Sequence, residues 1–246
     1  MAAVMNYVIP PGTNIAIAGK MGAGKSVCSR LLVEHHGYTR LSFAAPLKTL
    51  LQQVRDNDWY NMIRDLRVYP WEGTGPHQPN VVQCVNDAVS KIIGYITSNC
   101  GEYADWRTGK GRDFLQALGT DYFRAVHPGI WCRVFEDTLA KQSARLGSSA
   151  QFVVDDLRFL DEFDTVTRLG FLTLRCDLAE STRMSRLSPD DKFYAGHVSE
   201  TALDGYRHQF HGQINTDCPV EEQHYELLRA IELGIRAKGK RDGIPR

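Results

Sequence analysis

Gly19, Gly24, Lys25 and Ser26 satisfy the spacing G-x-x-x-x-G-K-[ST] in the run GKMGAGKS, with Gly22 as a further glycine inside the turn. The chemistry such a run serves is the holding of a polyphosphate. Small residues let the backbone curl so that its N–H groups face an anion, the lysine reaches the β- and γ-phosphate oxygens, and the serine hydroxyl meets the accompanying Mg²⁺. The run must follow a strand and open a helix, and it does. The apolar stretch Asn14 to Ala18 precedes it, and from Ser26 the residues Val27, Leu31 and Leu32 recur at helical spacing as far as Gly37. A glycine-rich turn that merely joins core elements is the plain alternative. The full pattern in the right setting favours a nucleoside triphosphate, ATP with Mg²⁺.

A second group of residues ends another apolar run. In FVVDDLRF, Phe152 to Val154 lead into Asp155, Asp156 and Arg158. Ligands of open parallel sheets gather beyond the carboxyl ends of the strands, which brings these charges to the phosphate loop. A carboxylate there can hold Mg²⁺ waters or an acceptor, and the arginine can clamp a phosphate. Asp155 is the candidate metal carboxylate with Ser26, and Asp156 the candidate on the acceptor side, but adjacency leaves open which one faces the site. A solvated strand end is the alternative. Arg112, Gln116, Gly119 and Thr120 lie in RDFLQALGTD; Arg112 and Gln116 share one helix face, and Thr120 falls at the helix end beside Gly119. Such a face can grip a monophosphate and a base edge, with Trp131 as a stacking surface. On composition alone, an ordinary amphipathic helix with a core tryptophan is favoured. Arg183 and Arg186 precede a polar stretch and suit a lid that closes over transferring phosphates, or else a solvated helix face. His197, Ser199 and Glu200 do not make a nucleophile–base triad: chain proximity sets no triad geometry, and no G-x-S-x-G elbow is present.

The elements that must position these groups show in the periodicity. Met1 to Thr13 reads as a leader, its Pro10-Pro11 pair unsuited to a central strand. Tyr38 to Phe43 is a short second strand. Leu47, Leu50, Leu51 and Val54 mark an amphipathic helix begun near Pro46, and Val85, Val89, Ile92, Ile93 and Ile96 another. Between them, Asp56 to Asn80 is polar, aromatic and proline-rich, which leaves a substrate-facing insertion and a mobile loop both open. Helices follow at Ile130 to Leu146 and Asp161 to Leu169, the latter closed by Gly170. Strands follow at Gln151 to Phe159, Phe171 to Cys176 and Gln213 to Asp217. Residues 181–200 read as a polar loop or lid, Val220 to Ile235 as a last helix, and Ala237 to Arg246 as a frayed tail. Strands alternating with helices predict an α/β fold with a mostly parallel sheet covered on both faces.

At 246 residues the chain suits one domain. With 29 basic and 29 acidic residues, no footprint for duplex nucleic acid or an anionic membrane shows. The six cysteines form no C-x-x-C pair, which disfavours a zinc knuckle or a disulfide framework and suits a reducing cytoplasm. No apolar run is long enough to span a bilayer, and no signal peptide is expected.

SFAAPLK (Ser42 to Lys48), RDFLQALGTDYFR (Arg112 to Arg124) with Trp131 after it, VVDDLRFLDE (Val153 to Glu162), HVSE (His197 to Glu200) and INTD (Ile214 to Asp217) occur in an order and spacing that resembles the bacteriophage deoxynucleoside monophosphate kinases. The resemblance spans Asn14 to about Ile235 and is weakest at Asn57 to Asn80. It implies an adenylate-kinase-like P-loop NTPase fold in a single kinase domain, with a core over about 14–235, a nucleoside-monophosphate-binding helical region over about 46–111 and a lid over about 181–200. It also implies transfer of the γ-phosphoryl group of ATP to a deoxynucleoside monophosphate, with Mg²⁺, in the host cytoplasm, by a chain that can form a homodimer. Residue by residue, it assigns acceptor contacts to Arg112, Gln116, Gly119, Thr120, Trp131, Asp156, Arg158 and Glu162, the last discriminating bases or sugars. Phe43 and Lys48 would border the acceptor pocket, although a core phenylalanine fits Phe43 nearly as well. Two departures stand out. Asp113 replaces a second basic residue, and Gly24-Lys25-Ser26-Val27 replaces the usual G-K-D-[ST], so Val27 offers the α-phosphate no hydroxyl. The rivals are a P-loop kinase of another small acceptor, such as dephospho-coenzyme A, and an ATP-binding module without turnover.

Overall fold

The computed structural model describes residues 7–56, 58, 61, 90–91, 93–95, 98, 115–124 and 128–241. Arg112 and Asp113, the Asn57 to Asn80 stretch apart from residues 58 and 61, and the end of the tail lie outside the described residues. The chain forms two compact units, 1–42 with 139–246, and 43–138.

The first unit is built on five strands: β1 (Ile15–Ala18), β2 (Thr39–Leu41), β3 (Phe152–Leu157), β4 (Leu172–Asp177) and β5 (Gly212–Asn215). They form one all-parallel sheet in the order β2-β3-β1-β4-β5. β1 (IAIA) and the first three residues of β3 are unbroken apolar runs because both of their faces are covered, and β4 is buried over Leu172 to Cys176 although Thr173 and Arg175 interrupt its apolar residues. Helices α1 (Lys25–His36), α4 (Leu160–Arg168) and α8 (Val220–Arg241) flank the sheet. α3 (Ile130–Leu146) enters this unit from the second one. Ile15 and Ile17, Val153, Leu172 and Leu174 point to one face, where Cys28 and Leu32 of α1 and Leu227 and Ile231 of α8 close a core. This is an α/β architecture of the P-loop NTPase kind. The chain order reverses at β1, so the turn after β1 sits at the switch point where such sheets bind ligands.

Two segments differ from expectation. Residues 181–200, expected to be a loop, contain three short helices: α5 (Glu180–Ser185), α6 (Pro189–Phe193) and α7 (Val198–Thr201). The tail does not fray at Ala237, since α8 runs on to Arg241. Lys238 Nζ donates to the Gly170 carbonyl, and Arg241 Nη1 donates to the Gln209 carbonyl at 2.8 Å.

The second unit contains α2 (Ala45–Arg55) and a π-helical segment, Ala117–Arg124. Residues 90–91 and 93–95 are helical, within the helix expected there. The expected helix end at Gly119 and Thr120 is not one, because the helix widens to π geometry and continues. The Gly119 carbonyl accepts from Trp131 Nε1 at 3.0 Å.

Candidate functional site

Gly19, Gly22 and Gly24 all have positive φ, at 145°, 80° and 88°. Gly24 caps α1 in the left-handed region, and its carbonyl accepts from Val27 N at 3.0 Å and Cys28 N at 3.2 Å. A Cβ at Gly24 would meet Thr216 Cγ2 at 3.3 Å, and one at Gly22 would meet Leu187 Cδ2 at 2.9 Å. The glycines are therefore required by the backbone, and at Gly24 and Gly22 a side chain would also press on Thr216 and Leu187. The helix start leaves the N–H groups of Lys25 and Ser26 without intrahelical acceptors, directed out of the sheet's carboxyl edge.

Lys25 is 8% exposed. Its Nζ donates to the carbonyls of Gly19 and of Lys20, the latter at 2.8 Å. Burial, reinforced by the Arg158 guanidinium and only partly opposed by Asp155 and Asp156, pulls its pKa down to about 7. This is a desolvated amine, poised to gain a proton when negative charge arrives beside it.

The two aspartates diverge, as neighbours on a strand must. Asp155 turns to the α1 face, where its Oδ2 accepts from Ser29 Oγ at 2.6 Å and its Oδ1 from Arg40 Nε at 3.0 Å. Asp156 is half-buried, and its Oδ2 accepts from Ser42 Oγ at 2.6 Å. Asp155, the candidate metal carboxylate, has both oxygens engaged within the protein, and Oδ1 also pairs with Arg40 Nη2 at 2.8 Å. Its role in this arrangement is to fasten α1 and β2 to β3. Among the described residues no group of three His, Cys, Asp or Glu side chains could hold a metal. Ser26 is exposed in the first turn of α1, where its hydroxyl could meet an ion carried on a polyphosphate.

Glu162, expected to read the base or sugar, is buried and serves its own chain. Its Oε2 accepts from the backbone N–H of Arg158 at 2.8 Å and of Phe159 at 3.1 Å, closing the start of α4. Arg158 itself points elsewhere, and its Nη1 pairs with Glu200 Oε1. Arg183 is buried, donates through Nε and Nη2 to both oxygens of Glu180, at 2.8 and 2.6 Å, and through Nη1 to the Met21 carbonyl at 3.0 Å. Arg186 is exposed and reaches the Thr216 carbonyl at 3.2 Å. Val27 is half-buried on α1.

In the second unit, Phe43 is buried and stacked on Phe135 with centroids 4.3 Å apart. Trp131 is 4% exposed and packs on Phe123 at 4.7 Å, so it offers no open stacking face there. Both act as core residues in this arrangement. Lys48, Gln116 and Thr120 are half-buried, and Gly119 is buried.

Of three braces on the loop, sequence reasoning singled out only Glu200, whose HVSE motif implied lid docking or nucleotide contacts. Glu200 accepts from Met21 N at 2.6 Å, Thr216 Oγ1 donates to the Ala23 carbonyl at 2.9 Å, and Lys20 pairs with Asp204 at 3.0 Å. Glu200 and Thr216 lie in the HVSE and INTD motifs, which was the available signal. His197 Nδ1 caps α7 by accepting from Ser199 N at 3.2 Å, and Glu200 turns away from it toward the loop.

No protein-family model and no curated protein sequence matches this chain. Among solved structures, TT1252 from Thermus thermophilus is similar at 20% identity and a TM-score of 0.46, covering 92% of this chain and 97% of that chain. A likeness of that degree says nothing of chemistry. Among the described residues, no helix is long and apolar enough to cross a membrane.

Proposed function

We propose that this chain transfers the γ-phosphoryl group of ATP to a deoxynucleoside 5′-monophosphate. The observation that carries the reading is the loop Gly19 to Ser26, which leaves the central strand of a parallel sheet at its switch point, with a buried lysine inside it and Asp155 and Asp156 on the adjacent strand. The backbone N–H groups at the start of α1 would hold the β-phosphate, and Lys25 would bridge toward the γ-phosphate. When bound, Mg²⁺ neutralises the phosphate oxygens, with Ser26 as the protein's own ligand.

An oxygen of the acceptor monophosphate attacks the γ-phosphorus in line, the bond to the β-bridging oxygen breaks, and ADP leaves. No covalent enzyme intermediate is needed, because positioning and charge stabilisation supply most of the acceleration. Lys25, Arg158 and a lid arginine, Arg183 or Arg186, would neutralise the transferring group. The family resemblance assigns the acceptor to Arg112, Gln116, Gly119 and Thr120, with Lys48 nearby, and that assignment favours a nucleoside monophosphate over other small acceptors.

The test is ADP release from ATP and Mg²⁺ with each common dNMP and NMP, the diphosphate product being identified by mass spectrometry. Acceptor-dependent formation of a dNDP is expected. ATP binding with no phosphorylated acceptor anywhere on the panel would refute the reading.

A further inference from the structure

The Glu200 side chain is 2% exposed, lies on the four-residue helix α7, and is spent on two donors that belong to different parts of the site. Oε2 takes the N–H of Met21, at the apex of the phosphate loop, at 2.6 Å, and Oε1 takes Nη1 of Arg158, beyond the end of β3. Arg158 also reaches the Ser199 carbonyl at 3.5 Å. The first turn of α7 is closed by the His197 cap and by Glu200 N on the His197 carbonyl at 2.8 Å. The backbone on both sides of Met21 is thus held, its N–H by Glu200 and its carbonyl by Arg183.

We infer that Glu200 is a positioning residue that gives the phosphate loop and Arg158 a single anchor, so that the donor-side cradle and the arginine are set at one fixed separation. A buried carboxylate with two charge-assisted or backbone donors is strongly held, and neither donor can move without loosening the other. The placement of Arg158 against a transferring phosphate rests on the function proposed above; the anchor itself does not. Glutamine is the informative replacement. It keeps the length, but its amide nitrogen must face either Met21 N–H or the guanidinium, donor against donor.

Three measurements on the full chain test this. Amide exchange at Met21, with no substrate present, should quicken about tenfold in Glu200→Gln, and unchanged exchange would overturn the anchor. In the kinase assay, Glu200→Gln should lower kcat about tenfold or more while ATP affinity moves by less than about threefold. The double variant Glu200→Gln/Arg158→Ala should lose little beyond Arg158→Ala alone, whereas additive losses would show that Glu200 does not act through the arginine. Should Glu200→Gln fail to fold, Arg158→Gln, at a side chain 31% exposed, must still change Met21 exchange if the anchor is shared. Faster Met21 exchange together with a wild-type protein silent on every acceptor would leave the anchor standing and remove its role in transfer.

Discussion

Lys25 makes a prediction that needs no knowledge of the acceptor. In the unfolded chain its amine titrates near the ordinary lysine value of about 10.4, whereas in the fold burial and Arg158 bring it to about 7. Below pH 7 both states carry the proton, and the folded protein bears the full cost of a desolvated charge. As pH rises past 7 the folded state sheds the proton while the unfolded state keeps it, so stability climbs until both are neutral near 10.5. The slope approaches 1.4 kcal/mol per pH unit, which makes the whole interval worth about 5 kcal/mol and the window from pH 7.5 to 9.5 about 2–3 kcal/mol. Lys25→Met provides the reference, because every other titrating group is common to both proteins and cancels. Urea denaturation of the pair across that window should show the wild type gaining on the variant, and parallel curves would refute the buried, depressed amine. A companion measurement is MgATP binding at pH 8 by calorimetry in buffers of different ionisation enthalpy. Lys25 should take up a large fraction of one proton as the phosphates arrive, and zero uptake would count against the same reasoning.

Two further outcomes follow from single atoms. Gly24→Ala puts a side chain at φ 88° and a Cβ 3.3 Å from Thr216 Cγ2, so thermal unfolding should show a loss of about 2 kcal/mol, and nucleotide affinity should fall with it. Glu162→Ala removes the acceptor for the N–H groups of Arg158 and Phe159 and should cost about 1–3 kcal/mol in denaturant melts. The relative rates across the acceptor panel should stay as in the wild type; a changed base or sugar preference would restore the selectivity role.

The order of the first elements and of β3 was legible because β1 and the start of β3 are covered on both faces and therefore carry continuous apolar runs, each followed by a helix of clear periodicity. Helix α3 coincides with its expected span, Ile130–Leu146. The end of α8 was not legible. Its last residues are polar and include Gly239, and what keeps them helical is a set of carbonyls at Gly170 and Gln209 supplied by distant chain. The phosphate loop was readable for the opposite reason: strand, glycines, lysine and helix start are contiguous, so the whole device fits in one short window.

The rest of the site is distributed, and that decides what a single sequence can reveal. That Asp155 and Asp156 point to opposite faces follows from strand geometry, but which face is the α1 side depends on Ser29 and Ser42, which meet them from far away in the chain. Glu200 and Met21 are 179 positions apart. The segment between Glu180 and Thr201 reads as loop because helices of six, five and four residues are too short to show an apolar stripe. They are held by local caps, Ser188 Oγ on Asp191 N at 3.1 Å and His197 Nδ1 on Ser199 N at 3.2 Å, and by Arg183 and Glu200 on the phosphate loop. A segment that buries only a few apolar side chains of its own, Leu187 and Tyr194 among them, and otherwise depends on its grip on the loop should loosen when that grip is cut. The substitution that tests the anchor at Glu200 therefore also tests why this stretch looked unstructured.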